Sequence, residues 1–272
     1  MPSNSLRLIE KLYVKTFGRS SLQKVNDKLL HFALRSRGYN NFAGPWESGE
    51  ANFIRILANF NPSLCVDVGA NKGNYSRALL GLPGTKVIAF EPLPKAFKSL
   101  EAIRKEFPDR FRCFNLGIAD KEAVLTLHFG EEDSELASFS SEVNQIGYVG
   151  RENVNVVKSR VITLDSFWEN RETEEIDLLK IDTEGYENEV LTGARNTICY
   201  NPPKFIQLEF NYHQLFRSQS LYSLSKQLPG YKAYQLLPFG NGLAPRDPSA
   251  SESNIYHYSN FIFVREDIAR RL

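Results

Sequence analysis

The sequence predicts an α/β fold: a mainly parallel sheet with helices on both faces, preceded by an N-terminal helical extension. Two observations carry this. From residue 64 onward, short apolar runs alternate with amphipathic stretches, the pattern of parallel strands joined by crossover helices. The residues that bear chemistry gather just after those runs, at the carboxyl ends where open parallel sheets bind ligands. Composition agrees, with 272 residues, 42% hydrophobic and 24% charged, which is ample for a sizeable core.

Residues 1–60 read as helices. LRLIEKLYVKTF sets Leu6, Ile9, Leu12 and Tyr13 at helical spacing. VNDKLLHFALRSRG continues to Gly38, and NFIRILANF (52–60) runs into the stop at Asn61-Pro62. The basic residues of the first helix could touch a membrane surface. A helix packed on the body with a solvated basic face is the plainer expectation. Residues 61–272 then form one domain, with no repeat or linker to divide it.

Strands are expected at LCVDVG (64–69), KVIAFEP (86–92), FRCFNLGIAD (111–120), AVLTLHF (123–129), SRVITLDSF (159–167), DLLKID (177–182) and KFIQLEF (204–210), with YKAYQLLP and SNFIFVRE late in the chain. NYSRALLGL, PKAFKSLEAIRKEFP, YENEVLTGARNTI and SLYSLSKQLPG read as the intervening helices. The 159–167 strand should end in a helix cap at Asp165 or Ser166. The polar stretch across 130–158 is loop-like and long, and such loops are commonly functional.

Lys and Arg number 33 against 32 Asp and Glu, a net charge of +1, so no nucleic-acid partner is suggested. The N-terminus lacks an unbroken apolar signal region, and no run approaches a membrane span, so stable membrane insertion is not expected. Cys65, Cys113 and Cys199 are odd in number and widely spaced, which favours free thiols and a reducing, cytoplasmic setting. The sequon Asn74-Tyr75-Ser76 lies inside a presumed ligand loop, where a glycan would block it. Oligomeric state is not legible.

The strand ends hold the candidate site. After the first strand come Asp67, Gly69, Asn71, Gly73 and Tyr75. A tight strand-to-helix turn explains the glycines, and so does close approach of a ligand, since glycine has no Cβ to block one. Glu91 ends the next strand; an acid about 20 residues past a glycine loop is placed to accept from ribose hydroxyls. The spacing D-V-G-A-N-K-G is not the G-x-G-x-x-G of a dinucleotide site, and an acid there would repel a pyrophosphate. It suits a ribose-bearing ligand with positive charge and no phosphate, which describes S-adenosylmethionine. Gly117, Ile118 and Asp120 would border an adenine, or form an ordinary strand end.

Lys180, Asp182, Glu184, Gly185 and Glu187 follow the DLLKID strand. Strand alternation puts Lys180 and Asp182 on one side, with Glu184 continuing if the chain stays extended. Ionisable groups at the end of an apolar strand are costly to bury unless paired. First-turn helix acids explain Glu184 and Glu187 but not Lys180 and Asp182. After KFIQLEF, Gln207, Glu209 and Asn211 share a face, and His213 lies beside the presumed cleft.

In these residues the chain resembles the FkbM family of S-adenosylmethionine-dependent methyltransferases. The resemblance rests on VDVGANKGNYS (66–76), AFEPLPKAF (89–97), NLGIAD (115–120), ASFS (137–140), ITLDSF (162–167), LLKIDTEGYENEVLTGA (178–194) and IQLEFN (206–211). It covers residues 64–211 and implies a Rossmann-like methyltransferase sheet whose last strand is antiparallel, making 61–272 the methyltransferase domain. It implies S-adenosylmethionine as cofactor, lined by Asp67, Gly69, Asn71, Gly73 and Glu91. It also implies Asp182 and Glu184 where the methionine end meets the acceptor, and O-methylation, often of sugars or secondary-metabolite hydroxyls.

A hydroxyl acceptor must lose a proton around the transition state. Asp182 is the first candidate base, with Glu209 and His213 next. Lys180 would keep a carboxylate ionised or stabilise developing alkoxide. A divalent ion bridged by Asp182, Glu184 and Glu209 could act similarly, though metal is not the favoured expectation. The 130–158 loop and N-terminal helices are candidate lids, and Trp46, Phe139, Tyr148 and Tyr212 could stack on the small-molecule or glycan acceptor. Gly69→Val is expected to block the cofactor while sparing the fold. Two other classes compete: an NAD-dependent oxidoreductase and a catalytically silent cofactor-binding module.

Overall fold

A computed structural model describes residues 4–130, 136–169 and 175–272. The strands are β1 (Leu64–Val68), β2 (Lys86–Phe90), β3 (Phe111–Phe114), β4 (Gly117–Ile118), β5 (Ala123–Phe129), β6 (Asn155–Ile162), β7 (Leu178–Ile181), β8 (Phe205–Phe210), β9 (Tyr231–Leu236), β10 (Leu243–Arg246) and β11 (Ser259–Arg265). The helices are α1 (Asn4–Phe17), α2 (Gln23–Ser36), α3 (Glu50–Ala58), α4 (Asn74–Leu80), α5 (Pro94–Glu106), α6 (Val149–Glu152), α7 (Leu164–Trp168), α8 (Glu187–Gly193), α9 (Arg195–Tyr200), α10 (Tyr212–Phe216), α11 (Leu221–Ser225) and α12 (Glu266–Ala269).

The main sheet runs β10-β9-β11-β8-β7-β1-β2-β3. β1 pairs in parallel with β2 on one side and β7 on the other, and β8 continues parallel beyond β7. β11 enters antiparallel between β8 and β9, the arrangement expected for the last strand of this sheet. Because the strand order reverses at β1, a crevice opens over the carboxyl ends of β1, β2 and β7.

Alternation divides the core between the two faces of the sheet. Val66, Val68, Leu179, Ile181 and Ile206 belong to one cluster, which α8 and α9 extend with Val190, Leu191 and Ile198. Cys65, Val87, Ala89, Leu178 and Phe205 belong to the other, covered by Phe53 and Leu57 of α3, Leu79 of α4 and Leu100 of α5. Cys65, Cys113 and Cys199 are free thiols.

Several elements differ from expectation. The single strand expected over 111–120 breaks at Asn115, whose side chain donates to the carbonyls of Glu91 and Pro92. The chain then crosses to a second sheet, β4-β6-β5. Thr163, not Asp165 or Ser166, caps α7, its hydroxyl accepting from the Ser166 amide. Asp165 instead accepts from the amides of Asn196 and Thr197 at the start of α9. β10 is an unforeseen edge strand. Within the 130–158 loop, residues 131–135 lie outside the described part. The remainder carries α6 and the start of β6.

The 1–60 stretch divides in two. α3 packs into the body, with Phe53 and Leu57 fully buried. The stripe of α1 does not pack as expected: Leu6, Ile9, Leu12 and Tyr13 are 53%, 62%, 58% and 44% exposed, and Leu8 beside them 60%. α1 is held to α2 by polar contacts, in which Tyr13 donates to Asn26 Oδ1 at 2.9 Å and Asn26 donates to the Phe17 carbonyl at 2.9 Å. Among the described residues, no helix is long and apolar enough to cross a membrane.

Candidate active site

The crevice is a cavity of about 1180 Å³, larger than the roughly 300–1,000 Å³ of a typical single-ligand pocket. Its wall is built by the register of the central strands. Asp67 on β1 lies opposite Lys180 on β7, and Lys180 opposite Gln207 on β8. Directly opposed residues in a sheet point to the same face, so three polar side chains form a row across apolar strands.

Partners from both flanks hold that row. Lys180 Nζ lies 3.0 Å from Asp182 Oδ2 and 3.6 Å from Asp67 Oδ1. Burial works against a charge on Lys180, but Asp182, Asp67 and Glu50 outweigh it and hold the ammonium protonated. Ser76 on α4 donates to Asp67 Oδ2 at 2.6 Å. Tyr75 donates to Gln207 Oε1 at 2.6 Å, while Gln207 Nε2 donates to Glu50 and to Asn260. Burial raises the carboxyl of Glu50, with Lys180 pulling the other way.

The loop after β1 is pinned from the neighbouring strand. Glu91 Oε2 accepts from the Asn71 amide at 2.8 Å, and Oε1 from the Leu93 amide at 2.7 Å. Burial pushes Glu91 up to about 7, against the lowering effect of those two amides. Gly69 has φ +78, and a Cβ there would collide with the Asp182 carbonyl oxygen. This corrects the sequence-based reason for the glycine: it lets β1 and β7 approach at their ends, beyond any ligand space it leaves. Gly69→Val is therefore expected to lose roughly 2–4 kcal/mol of unfolding free energy through strain and overpacking. A urea midpoint unchanged from the parent would show that the turn can relax around the side chain.

The opposite wall carries the groups after β7 and β8. The chain does not stay extended after Asp182: Glu184 has φ +53 and Gly185 φ +95. The turn brings Glu184 Oε2 to 2.8 Å from His213 Nδ1. That contact is an ion-pair approach, since among the described residues neither ring nitrogen of His213 makes a hydrogen bond, although the residue is only 1% exposed. Burial opposes charging His213, yet Glu184 beside it makes the net shift upward. Burial also raises Glu184 and lifts Glu209 well above its ordinary range, with Asp182 adding to both. Oxygens of Asp182, Glu184 and Glu209 lie within 4.8 Å of one another, a spacing and donor type that suit a hard divalent cation.

The structure brings together most of the sequence-derived candidates. Gly69, Asn71, Tyr75, Glu91, Ile118, Lys180, Asp182, Glu184, Glu209 and His213 all line the cavity. Asp67, Gly73 and Asp120 do not. Asp67 is fully buried behind Lys180. Gly73 faces Leu100 and Ile103 of α5, where a Cβ would clash. Asp120 is exposed outside the cavity. Of the four aromatics, Phe139, Tyr148 and Tyr212 line it, whereas Trp46 packs under Arg55. Glu50, Asn40 and Tyr258 also line it and were not foreseen; Glu50 is the first residue of α3, far from any strand end, so no local pattern marks it. Gln207 had a signal, as a polar residue alternating within IQLEF.

The donor set fits a cationic cofactor. Five carboxylates line the cavity, from Glu50, Glu91, Asp182, Glu184 and Glu209, and such a wall favours a sulfonium and an ammonium over phosphates. Gly117, Ile118 and Phe139 supply an apolar seat at one end, of the kind a base plane requires.

The sequence profile of the methyltransferase FkbM domain matches residues 67–231. The 2-O-methyltransferase NoeI of Sinorhizobium fredii (strain NBRC 101917 / NGR234) is 26% identical over 198 residues, 69% of this chain and 79% of the relative. A crystal structure of methyltransferase FkbM from Methylobacillus flagellatus KT aligns at 17% identity and TM-score 0.45, over 75% of this chain and 44% of that one, so the chain spans less than half of that protein. An O-methyltransferase from Bacillus cereus in complex with SAH aligns at 13% identity and TM-score 0.45, over 95% and 97% of the two chains. With a profile match over more than half its length, the chain belongs to the FkbM methyltransferase family and is an S-adenosylmethionine-dependent methyltransferase.

Proposed function

We propose that the enzyme O-methylates a hydroxyl of a sugar or small secondary metabolite, with His213 as the base. The observation that carries this is the contact between Glu184 Oε2 and His213 Nδ1 in the wall of the cofactor cavity. A carboxylate 2.8 Å from Nδ1 favours the tautomer protonated there, which leaves Nε2 to accept a proton. Asp182, the first candidate from sequence, already engages Lys180 through Oδ2. The similarity to a 2-O-methyltransferase supports a hydroxyl acceptor.

Gly69, Asn71, Tyr75, Glu91 and Ile118 would hold the cofactor, and Asp182 and Glu184 would face its methionine end. S-adenosylmethionine, when bound, supplies an electrophilic methyl on a positively charged sulfur. The chain's task is placement and proton removal. His213 takes the hydroxyl proton at Nε2, and Glu184 stabilises the imidazolium that forms. Lys180 holds Asp182 in place through the contact at Oδ2. Phe139, Tyr148 and Tyr212 offer faces on which a sugar ring can stack.

The test is methyl transfer from labelled S-adenosylmethionine to a panel of glycosides, alcohols, amines and thiols. Label is expected on a glycoside or alcohol oxygen. Transfer confined to amines or thiols would defeat the hydroxyl reading while leaving the methyltransferase intact.

A further inference from the structure

The α1–α2 hairpin combines two features that the body lacks. The first is exposed apolar surface arranged by helical period. Leu8 and Leu12, with Ile9 beside them, form one face of α1, and Val25, Leu29 and Phe32 recur at helical spacing on α2; all six are exposed. The second is charge. Residues 4–37 hold eight Lys or Arg against two Asp or Glu, in a chain whose total is only +1. Arg7, Lys11 and Lys15 recur at i, i+4 and i+8 along one edge of that stripe, with Lys11 and Lys15 three residues beyond Leu8 and Leu12.

We propose that this hairpin is a docking surface for an anionic lipid bilayer. An apolar stripe edged by basic residues, whose long stems let the charges reach the headgroups, is the pattern of a helix lying in the membrane interface. The leaflet covers the apolar side chains at the headgroup boundary while its negative surface attracts the lysines. A second copy of the chain could cover the apolar stripes, but it would leave the excess basic charge without a counterpart. The docking is peripheral, consistent with the absence of a spanning helix among the described residues. Asn40, a few residues beyond α2, already lines the cavity, so docking holds the cavity wall close to the bilayer.

Co-sedimentation of the full chain with vesicles tests this, comparing phosphatidylcholine alone with a roughly three-to-one mixture of phosphatidylcholine and phosphatidylglycerol. Binding is expected to the mixed vesicles only, and it should weaken as salt rises from about 0.05 M to about 0.5 M. Each lysine near the surface is worth about fivefold in partitioning, so Lys11→Ala with Lys15→Ala should reduce it roughly 25-fold. Leu8→Asp with Leu12→Asp should abolish it, with circular dichroism and melting temperature unchanged. Equal binding to both vesicle types, retention by the leucine variant, or concentration-dependent self-association without vesicle binding would each overturn the proposal.

Discussion

Lys180→Met is expected to lower the unfolding free energy by about 3–5 kcal/mol, because it strands buried carboxylates without their cation. The side chain is 5% exposed and Asp67 is 0% exposed, so water screens little of that interaction. Asp182 is 29% exposed and will relax toward solvent, which leaves Asp67 as the main liability. For a chain of this size the loss corresponds to a fall of roughly 6–20 °C in melting temperature. Calorimetry and urea unfolding measure it directly. Adding Asp67→Asn to the same variant removes the uncompensated charge, so the double variant should be more stable than the single one. A loss below about 1 kcal/mol would mean the row is hydrated rather than dry.

His213→Asn should reduce kcat by about 10²–10⁴-fold, the usual contribution of a positioned base. Affinity for S-adenosylhomocysteine should stay within about twofold, because the base acts on the acceptor. The pH profile tests the role independently of folding. His213 accepts a proton only when neutral, and its shift lies upward from 6.5 because of Glu184. The acid limb of kcat/KM should therefore fall above 6.5. Glu184→Gln removes the group that raises His213 and leaves burial, which acts downward. The limb should then move to lower pH. Since the two groups touch, the observed value belongs to the pair. An unmoved limb, together with a larger kcat loss in Asp182→Asn, would return the role to Asp182.

Much of this was legible because strand ends are where parallel sheets expose functional groups. Asp67, Glu91, Lys180 and Asp182 follow or end apolar runs whose period already identifies strands. The roles within the set were less legible. Asp67 reads as a ligand-facing acid beside glycines, yet it sits behind Lys180 as its counter-ion. Gly69 reads as ligand space, yet it also clears the Asp182 carbonyl. In both cases the decisive neighbour is more than a hundred residues away, across a strand pairing that no local window contains. Glu50 is the extreme case, since its partner Gln207 is 157 residues away.

By itself the sequence determined the fold class, most of the order of strands and helices, and the main ionisable residues at the strand ends. Hydrophobic periodicity and turn chemistry are local properties, and they survive reading in one dimension. Only the tertiary structure decided which carboxylate faces which cation, that Glu184 turns back onto His213, and that the apolar faces of α1 and α2 remain uncovered. Those outcomes depend on cross-strand register, on a left-handed turn at Glu184 and Gly185, and on where the body's surface ends. Each arises from distances between residues remote in sequence, and electrostatics and burial are functions of those distances.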